Sequence, residues 1–544
     1  MTGMRLSLAR LLMAIAMVTL AANVAVTADA RAVSRSKPKI TGLVAYPNTV
    51  ASGGTTGISA AVTGADTCTL SAPKSKPVNG LMKTFPCGEA GTMRVVAMPT
   101  NRGQKAVSYT LTLTAVASGG KGKAKAKVTI AVLPETVAAA NKGLISGSCA
   151  VVSQGAEQGT VRCWGGNGHG DLGGGGSSVS GYSTKPLTVL SITNAVEVAS
   201  ADEHVCALLA TGHLKCWGKA IGLGNGAEGP EFGEPTPVAV VDIANAVQVT
   251  AGYEDACALL DDGHVDCWGA NYEGRLGPGG VDEEDHYTPI AIPGVANAVE
   301  VTADREVTCA RLEGVGVQAG RVECWGSDNH GAFGDGTNGL AHATPFAVAD
   351  VGGAIQIASG EDHLCAISSQ EGHPTAQTKC WGWDAFGQLG DDNLGYIRKP
   401  EDVVEAQRLP VSGAEQVSAG TEHTCALLRG GTVECWGSDA RGQLGDGRPG
   451  EEEMKTVAVP VAGHLEQVVE IAASTGNTCA LLEDGGIKCW GGDREGELGD
   501  GMPVRPFSAE PVAVQGFPPP SSAARRGRTR RKAHSRHTPH TTKP

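Results

Sequence analysis

The sixteen cysteines are the residues whose type and spacing most directly predict chemistry in this chain. Fourteen fall into seven similar pairs: Cys149 with Cys163, Cys206 with Cys216, Cys257 with Cys267, Cys309 with Cys324, Cys365 with Cys380, Cys425 with Cys435 and Cys479 with Cys489. The second member of each precedes Trp-Gly, and Cys68 and Cys87 make an eighth pair upstream. An even count, repeated spacing and the absence of Cys-x-x-Cys point to disulfides formed in an oxidising compartment rather than to zinc or thiol exchange. Between Cys257 and Cys267, two apolar runs flank Asp261-Asp262-Gly263, which suits a three-residue hairpin loop with Gly263 left-handed. With Asp262 at the loop centre the two cysteines fall opposite each other at a non-hydrogen-bonded position. Cα atoms there are about 4.5 Å apart, within disulfide reach.

Other chemistries find little support. Gly168-x-Gly170-x-x-Gly173 matches the dinucleotide spacing but lacks the strand-to-helix context that a phosphate would use. No Ser-His-Asp or Cys-His set can be assembled, and no serine stands in an elbow motif. His204, His363 and His423 each stand two residues before a hairpin cysteine, a recurrence that predicts loop bracing. Asp335, Asp391, Asp446 and Asp500 give one carboxylate per loop, which suits turns better than calcium. No catalytic residue, cofactor or metal site is therefore expected.

Recognition is the remaining chemistry. The loop before each first hairpin cysteine differs from copy to copy and is acidic in most, which nominates Asp202, Glu203, Tyr253, Glu254, Asp255, Arg305, Glu306, Glu361, Asp362 and Glu422 as partner-binding residues. Tyr272, Trp383, Phe386 and Tyr396 break the repeat after Trp-Gly and have the composition of interface anchors. Charge is unevenly placed: residues up to 136 carry 16 basic and 4 acidic side chains, those from 516 carry 8 and 0, and the stretch between them carries 20 and 53. Such a balance keeps a protein soluble and would attract a cationic partner.

The elements that must position these residues recur. Trp164, Trp217, Trp268, Trp325, Trp381, Trp436 and Trp490 mark seven units of more than 50 residues. Each hairpin is preceded by an apolar alternation such as Ala246 to Thr250, and followed by Gly-x-Leu-Gly and a Pro-Val run such as Pro237 to Val240 or Pro511 to Val514. Four strands per unit at this period predict propeller blades, because one such sheet cannot bury both faces alone. The tryptophans should pack in the core or between blades, and Leu172, Leu223, Leu276, Phe333, Leu389, Leu444 and Leu498 should fill equivalent pockets. Closure should be in phase, with Thr136 to Ala140 as the first strand and Pro511 to Val514 as the last.

The unit resembles the regulator of chromosome condensation repeat family, through Trp-Gly followed by Gly387-Gln388-Leu389-Gly390, Gly442-Gln443-Leu444-Gly445 and the variants at 274–277, 331–334 and 496–499. The resemblance implies a seven-bladed β-propeller used mostly as a binding platform. It also implies, by analogy with the eponymous members, guanine nucleotide exchange on a small GTPase, but no insertion resembles their wedge and an exported chain would not meet a cytosolic GTPase.

The flanks complete an all-β layout. Residues 1–30, with Arg5, Arg10, an apolar run and Ala28-Asp29-Ala30, read as a signal peptide, and 31–37 as a linker. Residues 38–133 resemble the bacterial immunoglobulin-like β-sandwich modules, 134–515 form the propeller, and 516–544 form a disordered basic tail. Three functions follow. The first is a secreted or envelope-bound, non-enzymatic platform engaging an extracellular protein, as a monomer without nucleotide or transmembrane segment. The second is an envelope module binding an anionic polymer through the tail and N-terminal domain. The third is an enzyme with its site at the channel mouth.

Overall fold

The computed structural model describes residues 37–517 apart from 47–48, 51–54, 64, 74–84, 87–91, 98–106, 118–121, 133–146, 153–156, 176–180, 202, 231–232, 278–283, 306, 314–319, 338, 340, 369–375, 403–410, 449–453 and 464. The signal-peptide segment, Thr136 to Ala140, Asp202, Glu306, Cys87 and the chain beyond Phe517 lie outside the described residues. No described helix is long and apolar enough to cross a membrane.

In the N-terminal region Lys39–Tyr46, Thr55–Thr63 and Thr92–Ala97 form one antiparallel sheet. Thr49–Val50, Lys123–Val132, Val107–Val116, Thr67–Ser71 and Phe85–Pro86 form a second. Period-2 alternation along Val107–Val116 turns Leu111, Leu113 and Ala115 inward against Val62, Cys68, Leu70 and Ile130. Cys68 is disulfide-bonded.

Seven further antiparallel sheets follow, spanning 147–188, 195–239, 246–291, 298–347, 354–402, 414–460 and 468–513. The first has three strands among the described residues and the others four, in sequence order. In the third sheet the strands are Ala246–Ala251, Asp255–Leu260, Val265–Gly269 and His286–Ala291, with Gly263 at φ 86° closing the predicted hairpin.

The cysteine pairing follows the spacing in every one of these sheets. Cys257 faces Cys267 in the ladder of the third. In the others Cys149 faces Cys163, Cys206 faces Cys216, Cys309 faces Cys324, Cys365 faces Cys380, Cys425 faces Cys435 and Cys479 faces Cys489. All seven pairs are disulfides with Cα atoms 4.0–4.1 Å apart, each joining the second and third strands of one sheet. Outer strands carry proline, for example Pro186, Pro237, Pro289, Pro345 and Pro511. Proline cannot donate to another ladder, so these edges resist pairing with a foreign strand.

The Trp-Gly motif is a bulge. Between third and fourth strands the register slips at the tryptophan in every sheet, and the following glycine takes φ of 100–114°. A Cβ there would sit 2.3–2.5 Å from a carbonyl of the loop joining the first two strands, as at Gly218 against Glu203 and Gly269 against Glu254. Only glycine lets that loop close over the sheet.

The tryptophans then join the sheets. Six donate Nε1–H at 2.8–2.9 Å to the second residue of the Gly-x-Leu-Gly loop in the preceding sheet: Trp217 to Asp171, Trp268 to Gly222, Trp381 to Ala332, Trp436 to Gln388, Trp490 to Gln443, and Trp164 of the first sheet to Glu497 of the seventh. The loop's last glycine takes φ of 60–71°, and a Cβ on Gly224, Gly445 or Gly499 would lie 2.6–2.8 Å from the indole. The leucine or phenylalanine of each loop is buried, as expected.

Nearer the centre, Gln248, Gln356 and Gln416 each clamp the first strand of the next sheet. Their amides exchange bonds of 2.7–3.1 Å with the backbone of Val301, Val417 and Ile471. The last sheet meets the first again where Gly501 N–H reaches Thr184 O at 2.8 Å. Phe507–Ala513 pairs with Ile487–Gly492 and so stays in the seventh sheet.

One boundary moves. Phe517, assigned to the tail by sequence, is buried with its ring centroid 5.8 Å from that of Trp164, and Gly516 O accepts Arg162 Nη1 at 2.9 Å. Its apolar ring covers the exposed side of the joint between first and last sheets, so the folded part extends to 517.

Candidate functional site

Antiparallel order places the loops after the first and third strands of each sheet at one end and the hairpin loops at the other. Side-chain contacts confirm the first grouping. Lys219, following a third strand, binds Glu203 of its own sheet and, at 2.7 Å, Glu254 of the next. His330 Nδ1 stands 3.2 Å from Asp362 Oδ1 across another joint. Each first loop is held by its carbonyl: Glu203, Glu254, Asp362 and Glu422 accept N–H bonds of 2.6–3.0 Å from Lys219, Ala270, Trp383 and Ser438.

At the centre of this end lies an open depression. Its floor is alanine, Ala201, Ala251, Ala419 and Ala473, at or just beyond the ends of first strands. Tyr253, Asp304, Arg305 and Glu361 line one side, and Gly420, Thr421, Ser474 and Thr475 the other. The Arg305 guanidinium lies 5.4 Å from the Tyr253 ring centroid and pairs with Glu361, while Asp304 accepts the Arg305 N–H at 2.7 Å. Three of the sequence-nominated residues thus meet in one pocket.

The acidic loops are less bare than their sequence suggests. Glu203 and Glu254 share Lys219, Glu361 has Arg305, and Asp362 has His330. Burial alone would lower Lys219, but its hydrogen bonds to Glu203 and Glu254 hold it above lysine's ordinary value. Glu422 makes no ion pair among the described residues.

Asp255 corrects the sequence reading. It is fully buried, at the position that His204, His363 and His423 occupy in their sheets, with Arg275 Nη1 at 3.8 Å. Two residues before the hairpin cysteine a side chain points into the joint between sheets, so Asp255 cannot touch a partner. Burial pushes its carboxyl up to about 7, against the pull of Arg275.

The three histidines are equally inaccessible. His363 Nε2 meets Thr424 Oγ1 and His423 Nε2 meets Thr478 Oγ1, each at 2.8 Å and each in the next sheet. Burial pulls His204 down to about 4 and His363 and His423 down to about 3, so all three are neutral, and the latter two brace the next sheet through Thr424 and Thr478.

Asp335, Asp391, Asp446 and Asp500 each accept the N–H two residues on, at 2.7–3.0 Å, which makes turns. Sequence reasoning missed a second set. The Asn or Asp three residues after the repeat tryptophan accepts the N–H of the loop leucine or phenylalanine at 2.9–3.3 Å, from Asn167, Asn271, Asp328, Asp384, Asp439 and Asp493. Their fixed offset from the tryptophan was the available signal.

Beyond the pocket, Tyr272 is 44% exposed, with the Arg275 guanidinium 5.5 Å from its ring centroid. Trp383 and Phe386 are half-buried, and the backbone of Trp383 pairs with that of Tyr396.

Comparison with known proteins gives the frame a relative. The regulator of chromosome condensation (RCC1) repeat matches residues 246–275, 414–443 and 468–497 in one form and 380–427 in another. The ultraviolet-B receptor UVR8 of Arabidopsis thaliana is 29% identical over 396 residues, 70% of this chain and 85% of the receptor. The E3 ubiquitin-protein ligase HERC2 of Homo sapiens is 26% identical over 338 residues, 60% of this chain but only 7% of the ligase. Among solved structures, Prp20p from Saccharomyces cerevisiae superposes with a TM-score of 0.56 at 21% identity, over 65% of this chain and 85% of Prp20p. Human WBSCR16 gives 0.53 at 19%, over 64% and 92%. This chain carries RCC1 repeats, and the sheets they build have RCC1-like propellers as structural neighbours.

Proposed function

We propose that the chain is an exported, non-enzymatic binding platform in which the seven sheets are the blades of one closed propeller, preceded by an immunoglobulin-like module. Its channel-mouth face engages an extracellular protein, and the platform acts as a monomer. The observation that carries this reading is the pocket: Tyr253, Arg305 and Glu361 come from equivalent positions of three successive sheets, differ from one another, and converge on an alanine floor. Positions that a fold needs recur, whereas a partner that sees one face selects variation on a fixed frame. The disulfide in every sheet supports an oxidising compartment. The similar proteins are named as a light receptor and a ubiquitin ligase, two unlike activities, and this also favours a platform over a shared reaction.

The test is capture of proteins from the native exterior by the full chain and by the Glu254→Lys, Glu306→Lys, Glu422→Lys triple variant. Capture should weaken in the variant and in raised salt, since attraction between exposed charges decays over a Debye length of about 8 Å. Unchanged, salt-independent capture would move binding to the hairpin end.

One observation favours the envelope-polymer reading as a second. Lys123, Lys125 and Lys127 alternate on Lys123–Val132, so three exposed ammonium groups line one face of the N-terminal module. Binding of a polyanion by the full chain, abolished by Lys→Gln changes at these three positions, would establish it.

A further inference from the structure

We infer that the partner docks on one sector of the mouth face, a strip across the third to fifth sheets, and that it presents a lysine or arginine beside an apolar side chain. This rests on the binding-platform reading and sharpens it.

The strip is a continuous chain of contacts. Arg305 lies over Tyr253 and pairs with Glu361. Beside Glu361, Asp362 holds His330, whose ring stacks on Trp383 with centroids 5.9 Å apart. Trp383 in turn meets Phe386 edge-on at 5.4 Å. Contact therefore runs unbroken from the channel mouth towards the rim.

The repeat supplies the comparison that gives the strip meaning. Trp383 stands where the other sheets have Gly166, Lys219, Ala270, Ser327, Ser438 and Gly492. Arg305 stands where the sixth and seventh sheets have Thr421 and Thr475. A large side chain needed by the fold would recur at these positions. The seven repeat tryptophans are at most 1% exposed, whereas Trp383 is half-buried and reaches the surface. The departures collect in one sector, while the opposite wall of the pocket is Gly420, Thr421, Ser474 and Thr475.

Chemistry sets the guest. Within the strip the three carboxylates of Asp304, Glu361 and Asp362 outnumber the two basic side chains, the Arg305 guanidinium and the His330 imidazole. The excess negative charge repels nucleic acid and anionic polymers and favours an ammonium or guanidinium. The indole is the strongest aromatic acceptor for a cation, and with Phe386 it supplies apolar area beside the carboxylates. A basic and an apolar side chain side by side would satisfy both halves of the strip.

The experiment pans a random dodecapeptide display library against the intact full chain. Recovered peptides should carry Lys or Arg adjacent to an apolar residue. Their affinity should fall at least tenfold in the Glu361→Gln/Asp362→Asn and the Trp383→Ser variants, and stay unchanged in Asp262→Asn at the opposite end. Binding should also shift the emission of Trp383, read as the difference between wild type and Trp383→Phe, a readout that a folding defect would not mimic. Acidic or purely apolar selections would overturn the proposal. So would binding that survives the strip variants but is lost in Glu254→Lys/Glu422→Lys, although the platform reading would then stand. No selection above the blank support would defeat both.

Discussion

Replacing Gly499 by alanine perturbs the joint at which the seventh sheet seals against the first. Gly499 has φ 61°, and a Cβ there would lie 2.6 Å from Cδ1 of Trp164. The indole cannot retreat, because it is 1% exposed and tethered through Nε1 to Glu497 O at 2.9 Å. Two penalties combine: holding an L-residue left-handed costs about 1–2 kcal/mol, and overpacking a tight core adds about 1–3 kcal/mol. Gly463→Ala separates them, since Gly463 has φ 77° with nothing within 4 Å of its Cβ position and should show only the first. Denaturant titration with disulfides intact, followed by fluorescence of the buried tryptophans, should place Gly499→Ala about 1–3 kcal/mol below Gly463→Ala. Equal destabilisation of the two would mean that the Gly499 loop does not bear on Trp164, and the closure argument would fail.

Removing Cys309 and Cys324 together, a loop with sequence separation 15, should lower stability by about 3 kcal/mol. Non-reducing peptide mapping should return only pairs within sheets, and a Cys216–Cys257 link would contradict the fold. His363 and His423 are depressed from 6.5 to about 3, so the stability tied to their neutral forms is complete above pH 6.5 and is lost as pH falls towards the folded values. At pH 5 each should cost about 2 kcal/mol. Melting of the His363→Gln/His423→Gln variant between pH 7 and 5 should therefore be flatter than wild type, and an equal slope would show that these histidines are not neutral braces. Lys219→Ala should change stability by less than about 1 kcal/mol, because the side chain is 30% exposed. The same change frees Glu203 and Glu254, so binding of cationic peptides should gain salt dependence, which titration at two ionic strengths would detect.

The repeating parts of this molecule were legible because their causes are local. Ten residues and a glycine turn fix which cysteines face each other, and period-2 alternation in Val107–Val116 fixes which leucines enter the core. The longer hairpins, as between Cys149 and Cys163 or Cys365 and Cys380, keep the same pairing because the strands and not the loop set the register. Burial at the joints between sheets was less legible, since it depends on the neighbouring sheet. Asp255 looks like one more loop acid in sequence, yet it shares a register position with His204 and is buried with Arg275. Phe517 reads as tail until the first sheet supplies Trp164 to cover. Lys219 and His330 are inconspicuous in sequence, and only the stacking of neighbouring sheets brings them to Glu254 and Asp362. The loop positions themselves were found by their variation, but which of them touch one another is a property of the assembled face.

Photocrosslinking tests the central claim most directly. The photoreactive amino acid p-benzoylphenylalanine is placed at residue 421, which lines the pocket, or at residue 262 in an exposed hairpin loop of the opposite end, and the protein is illuminated in its native setting. A discrete protein adduct is expected from position 421 and none from 262. An adduct from 262 alone, or no adduct from 421, would contradict the claim.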